Sequence, residues 1–214
     1  MKKTATLITT GALVMALSPL LAGCSGTPTA PAGSEPAGSA SASIEPAAHE
    51  VSLTDWEGTW NGFSGYLDNP EVSVAFDEVA ERDGKSADEV KKDFSDKVTC
   101  DFAGIVFKGD TVELLDGFAS EGGASLGSAA YTFKESRTVE HAGHTLEWDI
   151  FTSDDPNAPY PVLLLMPVHG EEELVHFHMR YGSDVEELMS REGWYPTFVK
   201  PNSTIEQIKG EITD

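Results

Sequence analysis

Two histidines separated by one residue are the feature of this 214-residue sequence best suited to chemistry: His176 and His178 flank Phe177. Residues 174–181 alternate in the manner of a β-strand, so the two imidazoles are predicted on one face of that strand and Phe177 on the other. Residues two apart on a strand are separated by roughly 6.5–7 Å, and imidazoles that lean together can reach one zinc, copper, nickel or iron ion. Alone, such a pair is more often two strand histidines that hydrogen-bond to neighbouring groups.

A third histidine, His169, lies on the strand predicted before this pair. In an antiparallel hairpin, directly opposite residues share a face, and so do their diagonal neighbours two positions along. A turn centred between residues 171 and 172 places Pro167 opposite His176 and His169 diagonally adjacent, whereas a turn centred between residues 172 and 173 places His169 directly opposite. Both registers let three imidazoles converge and leave a fourth metal position for water or a carboxylate. The register between them turns His169 to the other face.

The elements expected to position these side chains are short antiparallel strands. Alternating apolar residues predict three hairpins, with strands at 102–107 and 112–114, at 130–140 and 144–152, and at 162–168 and 174–181. Trp56 and Trp60 predict an additional first strand whose aromatic rings pack in the core. The sequence therefore predicts a mainly β fold, a small antiparallel β-barrel decorated with short α-helices.

Helix signals occur on both sides of these strands. Helical spacing over residues 74–80 predicts a helix that ends at Gly84. Three capping boxes, in which a serine is followed three residues later by a glutamate, predict further helix starts. The capping pairs are Ser86 with Glu89, Ser183 with Glu186, and Ser203 with Glu206.

The first 48 residues are predicted to lie outside the folded domain. Lys2 and Lys3 precede an apolar stretch, and the sequence LAGC at residues 21–24 resembles the lipobox of bacterial lipoproteins. We expect residues 1–23 to be a lipoprotein signal peptide and Cys24 to be lipid-modified, with a cleaved secretory signal or a spanning helix as the alternatives. Residues 24–48, rich in Ser, Gly, Pro and Ala, are expected to tether a domain at 49–214 to the outer side of the membrane.

Composition excludes several classes of partner and scaffold. The formal net charge of −22 argues against binding to nucleic acid or, through a basic patch, to a membrane surface. Two cysteines are too few for a disulfide scaffold or a cysteine-rich zinc ribbon. Cys100 is predicted to be a buried free thiol once Cys24 is acylated.

Taken in order, several motifs resemble the ZinT-type zinc-binding domain, which also forms the C-terminal domain of AdcA-type zinc-binding lipoproteins. The motifs are LTDWEGTW at residues 53–60, HFH at 176–178 with YGSD at 181–184, and GWYPT at 193–197. The resemblance implies a calycin-like, lipocalin-related β-barrel. It also implies an extracytoplasmic protein that supports zinc acquisition, by handing zinc to an ABC importer or its substrate-binding protein.

The resemblance further implies a ligand set of three histidines, of which two carry over directly to His176 and His178. The family's third position, counted back without gaps, falls on Pro167. His169 lies two residues later on the same predicted face, and a turn shortened by two residues would let it substitute. We therefore predict that zinc binds to His169, His176 and His178.

Other residues and functions compete with this interpretation. His141 and His144 flank a predicted turn and are expected to be ordinary exposed residues, with a weaker second metal site as the alternative. An enzyme that activates water at the same site is disfavoured, because the sequence has no zinc-hydrolase helix motif and no nucleophile-elbow motif. The remaining alternative is a metal-free calycin that binds a small apolar ligand inside its barrel.

Overall fold

The computed structural model describes residues 50–141, 143–170 and 174–214. The predicted signal peptide, Cys24, the tether and His49 lie outside these residues. Within the described part, no helix combines the length and apolar character needed to span a membrane. The strands are β1 (Gly58–Gly62), β2 (Gly104–Lys108), β3 (Thr111–Leu115), β4 (Ser125–Ala130), β5 (Thr132–His141), β6 (His144–Thr152), β7 (Val162–Leu165), β8 (His176–Gly182) and β9 (Thr197–Val199). The α-helices are α1 (Pro70–Asp83), α2 (Ala87–Val98), α3 (Val185–Ser190) and α4 (Ile205–Thr213).

All nine strands belong to one antiparallel sheet in the order β4-β3-β2-β1-β9-β8-β7-β6-β5. The sheet curls into a half-barrel with β4 and β5 as its edge strands. The predicted mainly β, lipocalin-like fold with short helices is therefore confirmed. The sheet takes the form of a half-barrel. The three predicted hairpins correspond to the pairs β2–β3, β5–β6 and β7–β8.

The inner face of the curled sheet is filled with aromatic side chains. Phe177 on β8 is fully buried and packs edge-on against Trp60, with ring centroids 4.8 Å apart. The ammonium group of Lys200 lies 3.4 Å from the centroid of the Trp60 ring, where a cation–π contact covers this part of the core. The other large buried side chains of this inner core include Trp56, Phe102, Ile105, Phe107, Phe151, Leu163, Leu165, Met179 and Phe198.

The outer face of the sheet carries two separate hydrophobic clusters. Helices α1, α2 and α4 pack around Phe63, Phe76 and Val199. Helix α3 packs through Leu188 against Trp148 and neighbouring residues of β6 and β7. Strand β8 passes between the two clusters, with Phe177 turned to the inner core and the predicted histidine pair turned outward. The predicted period-two alternation of this strand is confirmed.

The helix starts show where local patterns succeed and where they fail. The capping box of Ser86 and Glu89 is present at the start of α2. The predictions at Ser183 and Ser203 are each wrong by one residue, because Asp184 caps α3 and Thr204 caps α4. In both places two adjacent residues can act as caps, and burial of the apolar helix face selects the second.

The first element of the domain and two of its strands also differ from expectation. Residues Leu53–Trp56 form a short 3-10 helix, and β1 begins only at Gly58, whose positive φ of 110° redirects the chain. Trp56 and Trp60 are nevertheless both buried, as predicted. Strands β4 and β9 were not predicted, because one is built mainly of small residues and the other has only three residues.

Candidate metal centre

A change of register between β7 and β8 brings His169 to the histidine face. The regular ladder pairs Val162 with Gly182 and Leu165 with Met179. Continued without a break, that register would set His169 opposite Val175 and turn its side chain to the inner face. Instead, His169 and His176 pair directly, and each backbone N–H donates to the other residue's carbonyl at 3.0 Å.

One extra residue on the β7 side of the ladder therefore lies within residues 166–168. A bulge of this kind reverses the face of the residues that follow. Pro167, which has no N–H to donate to the ladder, lies at the irregularity. The pairing of His169 with His176 matches the turn centred between residues 172 and 173, one of the registers that the sequence left open.

The three predicted histidines form one compact cluster. Ring centroids are 4.0 Å apart for His169 and His176, 5.1 Å for His176 and His178, and 5.3 Å for His169 and His178. One ring nitrogen from each residue lies within 4.8 Å of the other two. In a tetrahedral site, zinc–nitrogen bonds of about 2.0–2.1 Å hold the ligand nitrogens roughly 3.4 Å apart. Small rotations of the three rings would bring their nitrogens to that separation.

Hydrogen bonds fix which nitrogen of each ring is available. His169 Nδ1 lies 2.9 Å from the Pro167 carbonyl and His176 Nδ1 lies 2.7 Å from the Leu174 carbonyl. Because a carbonyl only accepts, both Nδ1 atoms carry the proton.

The same argument holds for the third ring. His178 Nδ1 lies 2.9 Å from the Thr197 hydroxyl, which in turn donates to the Tyr195 carbonyl. Since the Thr197 hydroxyl donates its proton to the Tyr195 carbonyl, it accepts a hydrogen bond from His178 Nδ1. In the neutral form of each ring, the Nε2 atom is therefore unprotonated and carries the lone pair that a metal requires.

Burial keeps two of these imidazoles neutral. It lowers the pKa of His178 to about 3, with the neighbouring imidazoles of His176 and His169 as smaller causes. Burial also lowers the pKa of His176, against a smaller raising effect of its hydrogen bond to Leu174. Neutral imidazole is the form that binds metals, so these two side chains are in the metal-binding form at neutral pH.

A cavity of about 340 Å³ opens over the histidine cluster on the outer face of the sheet. Glu211 of α4 lines this cavity, and one of its carboxylate oxygens lies 3.8 Å from His176 Nε2. A carboxylate at this position is chemically suited to be the fourth zinc ligand. The other lining residues are Phe63, Phe94, Lys97, Val98, His141, Leu146, Met166, His169, His178, Tyr195 and Thr197.

Glu211 is the residue of this site that sequence analysis missed. It lies 33 positions after His178 on the terminal helix, and its sequence neighbourhood has no metal-binding spacing. Only the packing of α4 against α1 and the outer sheet face brings it to the histidines.

The segment at residues 193–196 is fixed firmly beside the cluster. The Tyr195 N–H donates to the Lys97 carbonyl at 2.7 Å, which ties this segment to the end of α2. The buried guanidinium of Arg180 lies 5.0 Å from the centroid of the Tyr195 ring and donates to the Leu188 carbonyl at the end of α3. These contacts set the position of Thr197, the hydrogen-bond partner of His178.

Other candidate residues lie away from the cluster. His144 pairs with His141 at the tip of the β5–β6 hairpin and does not line the cavity. Cys100 is a free thiol that donates to the Phe102 carbonyl, and burial raises its pKa to about 12, which makes it unreactive as a thiolate.

The chain is similar in sequence to a protein that carries a metal-binding name. A Bacillus subtilis (strain 168) protein named probable metal-binding protein YrpE is 26% identical over 149 residues, which cover 68% of this chain and 57% of that protein. The chain thus matches little more than half the length of this relative.

Two solved structures share the fold. The Zn(II)-bound ZinT-like domain of Streptococcus pneumoniae AdcA has a TM-score of 0.61 at 22% identity, covering 80% of this chain and 95% of that domain. Zn(II)-bound AdcA from the same organism has a TM-score of 0.63 at 22% identity, covering 79% of this chain and 37% of AdcA. A family model described as ZinT (YodA) periplasmic lipocalin-like zinc-recruitment matches residues 44–214. The chain therefore belongs to the ZinT (YodA) family of periplasmic, lipocalin-like zinc-recruitment proteins.

Proposed function

We propose that this protein binds one zinc ion through the Nε2 atoms of His169, His176 and His178, with Glu211 completing a tetrahedral site. The convergence of three imidazoles, each with its Nδ1 proton already engaged, is the observation that carries the proposal. Three nitrogens and one carboxylate oxygen form a ligand set that zinc accepts readily. The position of His169 compensates for Pro167, where the family resemblance expects the third histidine.

The proposed role is recruitment of zinc outside the cytoplasm and its delivery to an ABC-type importer or the binding protein of that importer. The zinc-recruitment family of this chain and its likeness to AdcA support this role. We further propose that residues 1–23 are removed, that lipidated Cys24 anchors the mature chain, and that residues 24–48 tether the binding domain at 49–214. Replacement of Cys24 by alanine should then release the protein from the membrane fraction into the soluble fraction.

Binding rather than catalysis is the function we propose for the site, since the family is one of metal recruitment. The competing idea of an apolar ligand inside the barrel has less support. The inner face of the sheet is occupied by buried aromatic side chains, among them Trp60, Phe177 and Phe198. The cavity over the histidines lies on the opposite face.

Zinc titration of the purified protein against a chromophoric chelator tests this proposal. The wild type should hold one zinc tightly, and His169→Ala, His176→Ala and His178→Ala should each lose most of that affinity. Glu211→Gln keeps the size of the side chain and should weaken binding by about tenfold or more, because it removes the charge from the fourth ligand. A wild type that binds zinc no better than His176→Ala would contradict the proposal.

A further inference from the structure

The β5–β6 hairpin extends beyond the strand next to it. Strand β6 pairs with β7 only over four residues, from Asp149 to Thr152. Its pairing with β5 continues from there to the contact between His141 and His144 at the tip. Residues 137–141 and 144–148 therefore form a two-stranded arm on the edge of the sheet.

One face of this arm is turned toward the histidine cavity. In the observed register, His141 lies opposite His144 and Val139 lies opposite Leu146, so these four side chains share a face. Val139 packs against the cluster around Trp148. Leu146 and His141 line the cavity itself, whereas His144 does not.

Tyr195 lies next to both His141 and the proposed metal ligands. Its ring centroid is 5.9 Å from that of His141 and 6.1 Å from that of His178. His141 also differs in exposure from the three histidines of the cluster: His141 is exposed, His169 and His178 are partly buried, and His176 is buried. A metal ion that enters from solvent past the arm thus meets His141 before these less exposed histidines.

We propose that His141 is a transient zinc ligand at the mouth of the cavity, which accepts the ion from solvent and passes it to His169, His176 and His178. This inference rests on the proposed function, because it presumes that these three residues hold the zinc. In the first step, a lone pair of His141 forms a Zn–N bond and one zinc-bound water leaves. In the second, the Nε2 atoms of the cluster replace His141 and further waters, with no proton transferred to or from their rings. Release follows the same steps in reverse.

Kinetics distinguish a transient zinc ligand from a resident one. A group that binds zinc only during transfer changes the rates of uptake and release by the same factor and leaves the equilibrium constant unchanged. A resident ligand instead changes the affinity.

Stopped-flow mixing of the full chain, purified in detergent, with zinc and then with excess chelator measures both rates. His141→Ala should slow uptake and release by about tenfold each, with the dissociation constant unchanged within about twofold. His144→Ala, which removes an imidazole from the same tip and the same face, should match the wild type. His141→Glu, which restores a metal-binding group, should recover most of the rate.

Two results would overturn the proposal. Rates for His141→Ala that equal those for His144→Ala would show that no transfer step uses His141. A loss of affinity in His141→Ala with faster release would show a resident ligand instead of a transient one. Failure of the proposed function is distinguishable from both, since the wild type itself would then bind no zinc.

Discussion

The nitrogen that each imidazole presents to the cavity is decided by a single hydrogen bond. Pro167, Leu174 and Thr197 each accept the Nδ1 proton of one histidine, and this leaves three Nε2 lone pairs aimed together. Two of the acceptors are backbone carbonyls, which no side-chain substitution removes. The third is the Thr197 hydroxyl, so this contact can be tested by mutation.

Replacement of Thr197 by valine should weaken zinc binding by about tenfold or more, because partners of this kind hold the ligand ring in its tautomer and orientation. Thr197→Ser keeps the hydroxyl and should bind zinc nearly as the wild type does. Chelator competition on both variants measures the difference. Equal affinities for the valine and serine variants would show that the hydroxyl does not orient His178.

Acid should destabilise the zinc-free protein through His178. Its pKa is about 3 in the folded state, whereas an unperturbed histidine has a pKa of about 6.5. Between these values the unfolded chain binds a proton that the folded chain does not, so the free energy of unfolding falls as the pH falls. The slope from this one residue reaches about 1.4 kcal/mol per pH unit, and the contribution is fully present above pH 6.5.

Urea unfolding at several pH values between about 6.5 and 4, in the presence of a chelator, measures this slope. His178→Asn has no group that titrates there and should show a shallower fall than the wild type. Parallel curves for the two proteins would contradict the assigned pKa.

At the scale of secondary-structure elements, the site depends on an irregularity in one hairpin. The extra residue within 166–168 turns His169 onto the face of His176, and the regular ladder from Val162 to Leu165 would not. Alternation along one strand is a local property, so the shared face of His176 and His178 was predictable from the sequence. The register between two strands depends on the turn and on the bulge, and the sequence left it open.

Deletion of Val168 tests the role of this bulge. Without the extra residue, the regular β7–β8 register would continue, and His169 would take the place opposite His176 in an unbroken ladder. We therefore expect the deletion variant to bind zinc much more tightly than His169→Ala does, while circular dichroism still shows a β-rich fold. Val168→Ala keeps the extra residue and serves as the control. An affinity as low as that of His169→Ala would mean that the bulge itself, and not the pairing with His176, positions His169.

The elements that sequence analysis missed share a physical cause. Strand β9, with only Thr197, Phe198 and Val199, is too short to show a period, yet it supplies the hydroxyl that orients His178. Glu211 reaches the cavity only through tertiary packing of α4. Local patterns in the sequence thus predicted the histidines, and tertiary contacts supply the groups around them.

At the scale of the whole molecule, stability and metal binding are assigned to opposite faces of one sheet. Phe177 is fully buried in the inner core, with ring contacts to Trp60, Phe107 and Phe198. Its sequence neighbours His176 and His178 point to the other face, where they form the histidine cluster with His169. Strand β8 therefore links the core that holds the fold together to the site that we propose binds zinc.

Replacement of Phe177 by alanine should lower the free energy of unfolding by about 3–5 kcal/mol, as for other large aromatic side chains removed from a core. Val74→Ala on α1, where the side chain is 47% exposed, should change it by no more than about 0.5 kcal/mol. Urea denaturation of the zinc-free proteins compares the two. A loss below about 1 kcal/mol for Phe177→Ala would contradict the description of the inner face as the main core.

Zinc bound on the outer face of the curled sheet can be located by diffraction. The experiment is a crystal structure of the zinc-loaded protein, with anomalous diffraction recorded on both sides of the zinc absorption edge. We predict one strong anomalous peak about 2.0–2.1 Å from the Nε2 atoms of His169, His176 and His178, with a Glu211 carboxylate oxygen at a similar distance. A peak elsewhere, or none at the histidines of fully loaded protein, would contradict zinc binding by these three histidines.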